Sequence, residues 1–99
     1  MITRLVKMTF KTEHTQDFIL LFEQIKYRIA DFEGCHQLQL LHDTHLPHVF
    51  FTYSIWKDEN ALENYRNSDL FAETWKKTKS MFAEKAQAWT TKNEFDSAK

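Results

Sequence analysis

The side chains able to do chemistry in this sequence are five histidines, one cysteine and several aromatic residues with hydrogen-bonding edges. His42, His45 and His48 fall within seven residues, with Asp43 among them. A zinc or iron site needs three or four ligands converging at about 2 Å, and this spacing matches no established ligand pattern. Hairpin-tip histidines ordinarily point into solvent, so no metal is expected. His36 shares strand parity with Leu38, Leu40 and His42. It is a candidate base beside a cavity or, alternatively, a histidine packed at a strand end. Cys35 follows a glycine and has no basic neighbour in sequence to lower its pKa, so it reads as a small apolar filler. Phe22, Tyr65, Phe71 and Trp75 recur at helical spacing and project to one side. Such a stripe is either ordinary core or the wall of an apolar cavity, to which Tyr65 and Trp75 would add an O–H and an N–H donor. Lys76, Lys77 and Lys79 complement the negative end of a helix dipole.

The elements that must position these groups follow from period and punctuation. Ile2, Val6, Met8 and Phe10 alternate with Thr and Lys, which predicts a strand over 2–10. Phe18, Leu21, Phe22, Ile25, Ile29 and Phe32 step by three and four, which predicts a helix over about 14–32, capped by Thr12 or Thr15 and ended at Gly34. Two strands are expected over 35–44 and 48–57, joined as a hairpin around His45-Leu46-Pro47. Asp58 and Ser68 are expected to cap two further helices, the first with Ala61, Leu62 and Tyr65 on its apolar face. A last strand lies within 85–91. The resulting order, β-α-β-β-α-α-β, defines a ferredoxin-like split βαβ domain of the α+β class, with helices on one face of a four-stranded antiparallel sheet. Residues 1–92 form a single domain in this reading, and 93–99 a polar C-terminal tail.

Composition bounds the partners. The chain has 99 residues, and thirteen Lys+Arg against fourteen Asp+Glu leave a net charge of -1, so there is no basic field for nucleic acid or membrane phosphates. No apolar run approaches the roughly 18 residues of a membrane span, no signal peptide is evident, and a lone cysteine suits a reducing cytoplasm. The third strand carries large apolar groups in both registers: Val49, Phe51, Tyr53 and Ile55 on one side, Phe50 and Trp56 with Thr52 and Ser54 on the other. Phe50 and Trp56 are expected on the side that the helices leave open, sheltered either by loops or by a second copy. A sheet-to-sheet homodimer is the expected solution.

Three segments resemble a known family. Glu33-Gly34-Cys35 opens a strand; Tyr53-Ser54-Ile55-Trp56-Lys57 leads into Asn60-Ala61-Leu62-Glu63; Ser68-Asp69-Leu70-Phe71 precedes the last helix. Together they resemble the antibiotic biosynthesis monooxygenase superfamily of dimeric α/β-barrel proteins, over about residues 1–91. The resemblance implies a pocket between helices and sheet in each subunit and a dimer formed through the sheets. It also brings several activities: cofactor-independent oxygenation of aromatic or quinol substrates, haem degradation, isomerisation of small metabolites, or none assigned. The Asn, Trp and His used by haem-degrading relatives correspond to Val6, Tyr65 and Trp75, so no axial iron ligand is implied. The Glu and His of oxygenase-like relatives correspond to Ser54 and Leu70. The reading is then a monooxygenase without cofactor, acting on a small aromatic or quinol substrate held by Val6, Phe22, Tyr65, Phe71 and Trp75. Tyr65, Trp75 and His36 are the candidate catalytic groups. The alternatives are a non-catalytic dimer that binds a small apolar ligand, or an isomerase on the same scaffold.

Overall fold

Strand β1 (Ile2–Thr9) leads through a 3-10 turn (Thr12–His14) into helix α1 (Thr15–Ala30). Strands β2 (Cys35–His42) and β3 (Val49–Trp56) follow, then helices α2 (Glu59–Arg66) and α3 (Asp69–Lys79), and strand β4 (Gln87–Thr91). The structure, a computed structural model, describes residues 1–98. The expected polar tail is irregular and exposed as far as residue 98, and its last member, Lys99, lies outside the described residues. All strand pairs are antiparallel, in the spatial order β2-β3-β1-β4. This is the ferredoxin-like α+β arrangement that the element order predicts. Among the described residues, no helix is long and apolar enough to cross a membrane.

Two of the expected caps form. Asp58 accepts from the Ala61 N–H at 2.8 Å and Ser68 from the Phe71 N–H at 3.1 Å, each satisfying a donor that the first helical turn leaves orphaned. The entry to α1 differs: neither Thr12 nor Thr15 caps it, and the 3-10 turn takes up that segment instead. The His14 ring meets the Asp17 carboxylate at 3.0 Å across the first turn. At its other end α1 stops at Ala30, two residues short of expectation. Asp31–Gly34 form a tight turn closed by the Cys35 N–H on the Phe32 carbonyl at 2.9 Å.

Gly34 in this turn has φ +88°, and its carbonyl accepts the Lys57 N–H at 2.8 Å. A methyl group added at Gly34 would overlap the Cβ of Ala61. Both the backbone conformation and the close approach of α2 therefore demand glycine.

The sheet corrects one expectation. Phe50 (2% exposed) and Trp56 (1%) lie beneath the helices, not on the open face. In register with them, Met8 and Ile2 of β1 point the same way. Phe50 joins Met8, Phe10, Phe18 and Phe22 in one packed cluster, and Trp56 joins Ala61 and Leu62 in another. The opposite parity, Phe51, Tyr53 and Ile55, looks outward with Leu5, and all four are only half-buried. The parity itself is as expected; the assignment of its two faces is reversed. Aromatics occur in both registers of β3, so alternation gave no sign of which one the helices cover.

Gly34→Ala is expected to cost about 2–3 kcal/mol, the sum of a positive-φ penalty and a steric one. Urea unfolding measures this directly, and Ala61→Gly in the same chain should recover only the steric part.

Candidate functional site

Between the two core clusters the inward face of the sheet carries small side chains, apart from Arg4. In the register β1–β3, Arg4 pairs with Ser54 and Val6 with Thr52, and on the β4 side Val6 pairs with Ala88. The bulky rows at either end hold the helices off the sheet. The small middle rows then leave a cavity of about 320 Å³, within the usual span of about 300–1,000 Å³ for small-molecule sites. Ala86, just before β4, and the exposed Ala88 within it form the wall on that side, so the cavity opens at the β4 edge.

Helices supply the roof. An unbroken aromatic chain runs from one cluster to the other. Tyr65 stacks on Trp56 (5.0 Å between ring centroids) and meets Phe71 edge-on (5.3 Å). Phe71 stacks on Trp75 (5.6 Å), and Trp75 meets Phe82 edge-on (5.5 Å). Such pairs add about 0.5–1.5 kcal/mol each beyond area burial, so the roof is a stiff wall.

The structure brings Val6, Phe22, Tyr65, Phe71 and Trp75 together around this one cavity. His36 is not among its lining residues. A bulge between Cys35 and Gln37 inserts one extra residue into β2 there, so Cys35 and Leu38 both face inward while His36 is exposed. Cys35 packs against the Trp56 cluster, and burial pushes its thiol pKa up, consistent with a filler. The hairpin histidines are accounted for separately. His42 stacks flat on Phe50 (4.0 Å) and donates from Nε2 to the Pro47 carbonyl at 2.7 Å. Asp43 accepts from the His45 and Leu46 N–H groups at 2.8 and 2.9 Å, and these bonds hold its pKa below the usual carboxylate range. Among the described residues, no group of three or more His, Cys, Asp or Glu side chains is placed to hold a metal ion.

Several lining residues were not anticipated: Arg4, Arg66, Thr52, Thr74 and Thr78. Thr74 and Thr78 donate their hydroxyl protons back to the carbonyls of Leu70 and Thr74, each at 2.8 Å, and so present only methyls and lone pairs. Ser54 is buried and accepts the Trp56 indole N–H at 2.9 Å, which fixes that ring as the cavity's end wall. Arg4 alternates with Ile2 and Val6, a parity visible in the sequence, but charge on an inward strand position gave no reason to look for it. Neither the Tyr65 hydroxyl nor the Trp75 indole N–H bonds to another described residue, and neither is sealed from solvent, so both donors are free for a ligand. Burial pushes the Tyr65 hydroxyl pKa up to about 12, and it stays protonated across the physiological range.

A one-sided helical layer over an aromatic cavity on a ferredoxin-like sheet defines the class of protein. The chain belongs to the antibiotic biosynthesis monooxygenase family, whose sequence profile matches residues 1–77. A protein of Natronomonas pharaonis, provisionally named a heme-binding protein, is 30% identical over 66 residues. That match covers 67% of this chain and 11% of the relative, so the chain spans about a tenth of the relative's length. Among solved structures, a conserved protein of Methanosarcina mazei superposes with a TM-score of 0.87 at 22% identity, covering 94% of this chain and 93% of that one. A Nitrosomonas europaea protein carrying the same family name superposes with a TM-score of 0.86 at 18% identity, covering 96% of this chain and all (100%) of that one. At these identities the likeness is one of fold.

The tyrosine yields a prediction with a defined sign. Its pKa is about 10 unfolded and about 12 folded, so the folded state holds the extra proton between those values. The resulting stability is complete below pH 10 and is lost as pH rises toward 12. Tyr65→Phe should remove this loss, on the order of 2–3 kcal/mol. The check is chemical unfolding of both proteins at pH 9 and pH 12, with absorbance at 295 nm reporting one late-titrating tyrosine in the parent alone.

Proposed function

We propose that the cavity binds a small aromatic ligand of the phenol or quinol type and supports its oxygenation by dioxygen without a metal or flavin. One observation carries the reading: an apolar, aromatic-walled cavity whose lining includes two neutral donors bonded to no other described residue, the Tyr65 hydroxyl and the Trp75 indole N–H, and Arg4, which forms no ion pair among the described residues. A reduced aromatic, once ionised, can pass electrons to dioxygen itself. The protein's share is to exclude water, orient the ring and stabilise the anion with fixed donors. With anthrone as substrate the balance is simple. The ring CH₂ loses both hydrogens, one oxygen atom becomes the new carbonyl, and the other leaves with those hydrogens as water. In this reading Val6, Phe22 and Phe71 shape the ring site, and Tyr65 and Trp75 donate to the substrate oxygen.

Haem, which the archaeal relative's name suggests, does not suit these residues. None of the five histidines lines the cavity. The thioether of Met8 is packed into the phenylalanine cluster, and the raised pKa of Tyr65 opposes the tyrosinate form that would ligate ferric iron. The absence of any Asp, Glu or His from the described lining favours a second reading, a binding protein without turnover.

Oxygen uptake separates the two. With anthrone under air, the chain is expected to consume oxygen at least tenfold faster than the uncatalysed background, and Tyr65→Phe with Trp75→Phe should lower that rate by about tenfold or more. Uptake at background, with anthrone still quenching tryptophan fluorescence, would leave the binding reading in its place.

The same proposal includes a homodimer, with residues 1–92 acting as one unit in a reducing cytoplasm. Leu5, Phe51, Tyr53 and Ile55 form an apolar band on the uncovered sheet face, flanked at its edges by Leu41 (43% exposed) and Trp89 (46%). A second sheet laid on this band buries it. Sedimentation at micromolar concentration should return about 24 kDa, twice the chain mass of 11.9 kDa. Tyr53→Lys, which sets a charge mid-band, should return the single-chain mass.

A further inference from the structure

We infer that the ligand of this cavity carries an anionic group and that Arg4, supported by Arg66, is the residue pair that recognises it. The inference rests on the proposed reading of the cavity as an aromatic-ligand site, and it names the ligand's charge. Arg4 stands on the central strand β1, between Ser54 of β3 and Thr90 of β4 in the sheet register, with Val6 next on the same face. One of its guanidinium nitrogens donates to the Thr90 hydroxyl at 2.8 Å, a neutral partner. Among the described residues, no carboxylate lies within ion-pair distance of it. Glu63, the carboxylate whose charge it feels, is engaged by Arg66 at 3.4 Å.

A half-buried guanidinium has five donors to satisfy and one charge to neutralise. Here one donor is met and the charge is not. Burial first, and then the like charge of Arg66, lower the pKa of Arg4, with Glu63 opposing, which marks an environment short of negative charge. The rest of the lining does not supply it: its one ionised residue is a second arginine, Arg66. Aromatic walls next to two cations match a flat ligand with a carboxylate or an ionised phenol at one end. The bond to Thr90 draws the Arg4 guanidinium toward the open β4 edge, which gives the charged end the wetter position and the ring the drier one. Arginine suits this task because its planar fork can hold a carboxylate through two parallel bonds.

Arg4 also explains how a cavity with no Asp, Glu, His or Lys among its lining residues could favour an ionised substrate. A fixed cation beside a phenol lowers the phenol's pKa, so the proton can pass to water at the open edge and the anion stays inside.

The test compares three probes of one shape: 2-naphthoate, neutral 2-naphthamide and cationic 2-naphthylmethylammonium, each titrated at pH 7.5 by quenching of tryptophan fluorescence. The naphthoate is expected to bind at least tenfold more tightly than the amide, and the ammonium most weakly. Arg4→Gln should bring naphthoate and amide within twofold of each other. Arg4→Lys should retain part of the preference, and Arg66→Gln should weaken it by less than Arg4→Gln does. Equal binding of naphthoate and amide by the parent protein overturns the inference while leaving the aromatic-ligand reading intact. So does a naphthoate preference that survives Arg4→Gln. Failure of all three probes to bind overturns both. The parent's own acid-to-amide ratio decides the ligand's charge independently of the stability of any variant, and the ratio measured in Arg4→Gln and Arg4→Lys decides the residue.

Discussion

The hydrogen bond from the Trp56 indole to the Ser54 hydroxyl, buried and 2.9 Å long, is the contact on which the site depends. Trp56 is the largest side chain at its end of the sheet, and its ring could turn into the space beside it. Bonded to the residue two positions back on the same face, it becomes a wall instead. Ser54 serves twice, because its small side chain also leaves the middle row empty. A core of this size would ordinarily close such a gap, since unfilled volume forfeits dispersion contacts. Here the gap persists because stiff aromatic clusters bracket it and an aromatic chain spans the roof.

Polarity within the cavity follows from where each hydroxyl spends its proton. Thr74 and Thr78 return theirs to their own helix, whereas Ser54 accepts the Trp56 indole N–H and keeps its own proton. The lining also holds an un-ionised phenol, an indole N–H, the Thr52 hydroxyl and two guanidiniums, that of Arg66 paired with Glu63. None of them takes a proton from a substrate near neutral pH. The chemistry available is therefore stabilisation of charge already present on a ligand, and ligand ionisation must be helped by electrostatics instead of by a base. In the proposed reading, binding and turnover would draw on the same residues.

Much of this was readable in the sequence, and the exceptions share a cause. Periodicity placed every helix and strand because 3.6- and 2-residue repeats are local properties, and Asp58 and Ser68 announced their caps for the same reason. Phe22, Tyr65, Phe71 and Trp75 could be grouped because each lies on a helix face with a single apolar side. What remained hidden needs information from a second element. The helix-facing side of β3 is set by packing against α1 and α2, so Phe50 and Trp56 could be assigned to the wrong face. The bulge that expels His36 is an adjustment between β2 and β3, and nothing within residues 35–42 marks it. Arg4 reads as one more charged residue on an amphipathic strand until β4 and α2 close around it.

The two central strands also tie the cavity to the opposite face of the sheet. On β3, Thr52, Ser54 and Trp56 look into the cavity while Phe51, Tyr53 and Ile55 look outward, so the same eight residues serve both. A one-residue slip of β3 would place Phe51, Tyr53 and Ile55 against the helices and fill the void with aromatic volume. Register is therefore a condition of having a cavity at all, beyond being a condition of folding. It is held from both sides: eight pairs to β1, and the bulged ladder to β2 that lets Cys35 and Leu38 face inward together. A second sheet packed on the outward band would hold β3 from the remaining side. On that argument a dimer would contribute to the site without placing a side chain in it, by making the slipped register, which turns Ser54 and Thr52 outward, incompatible with association.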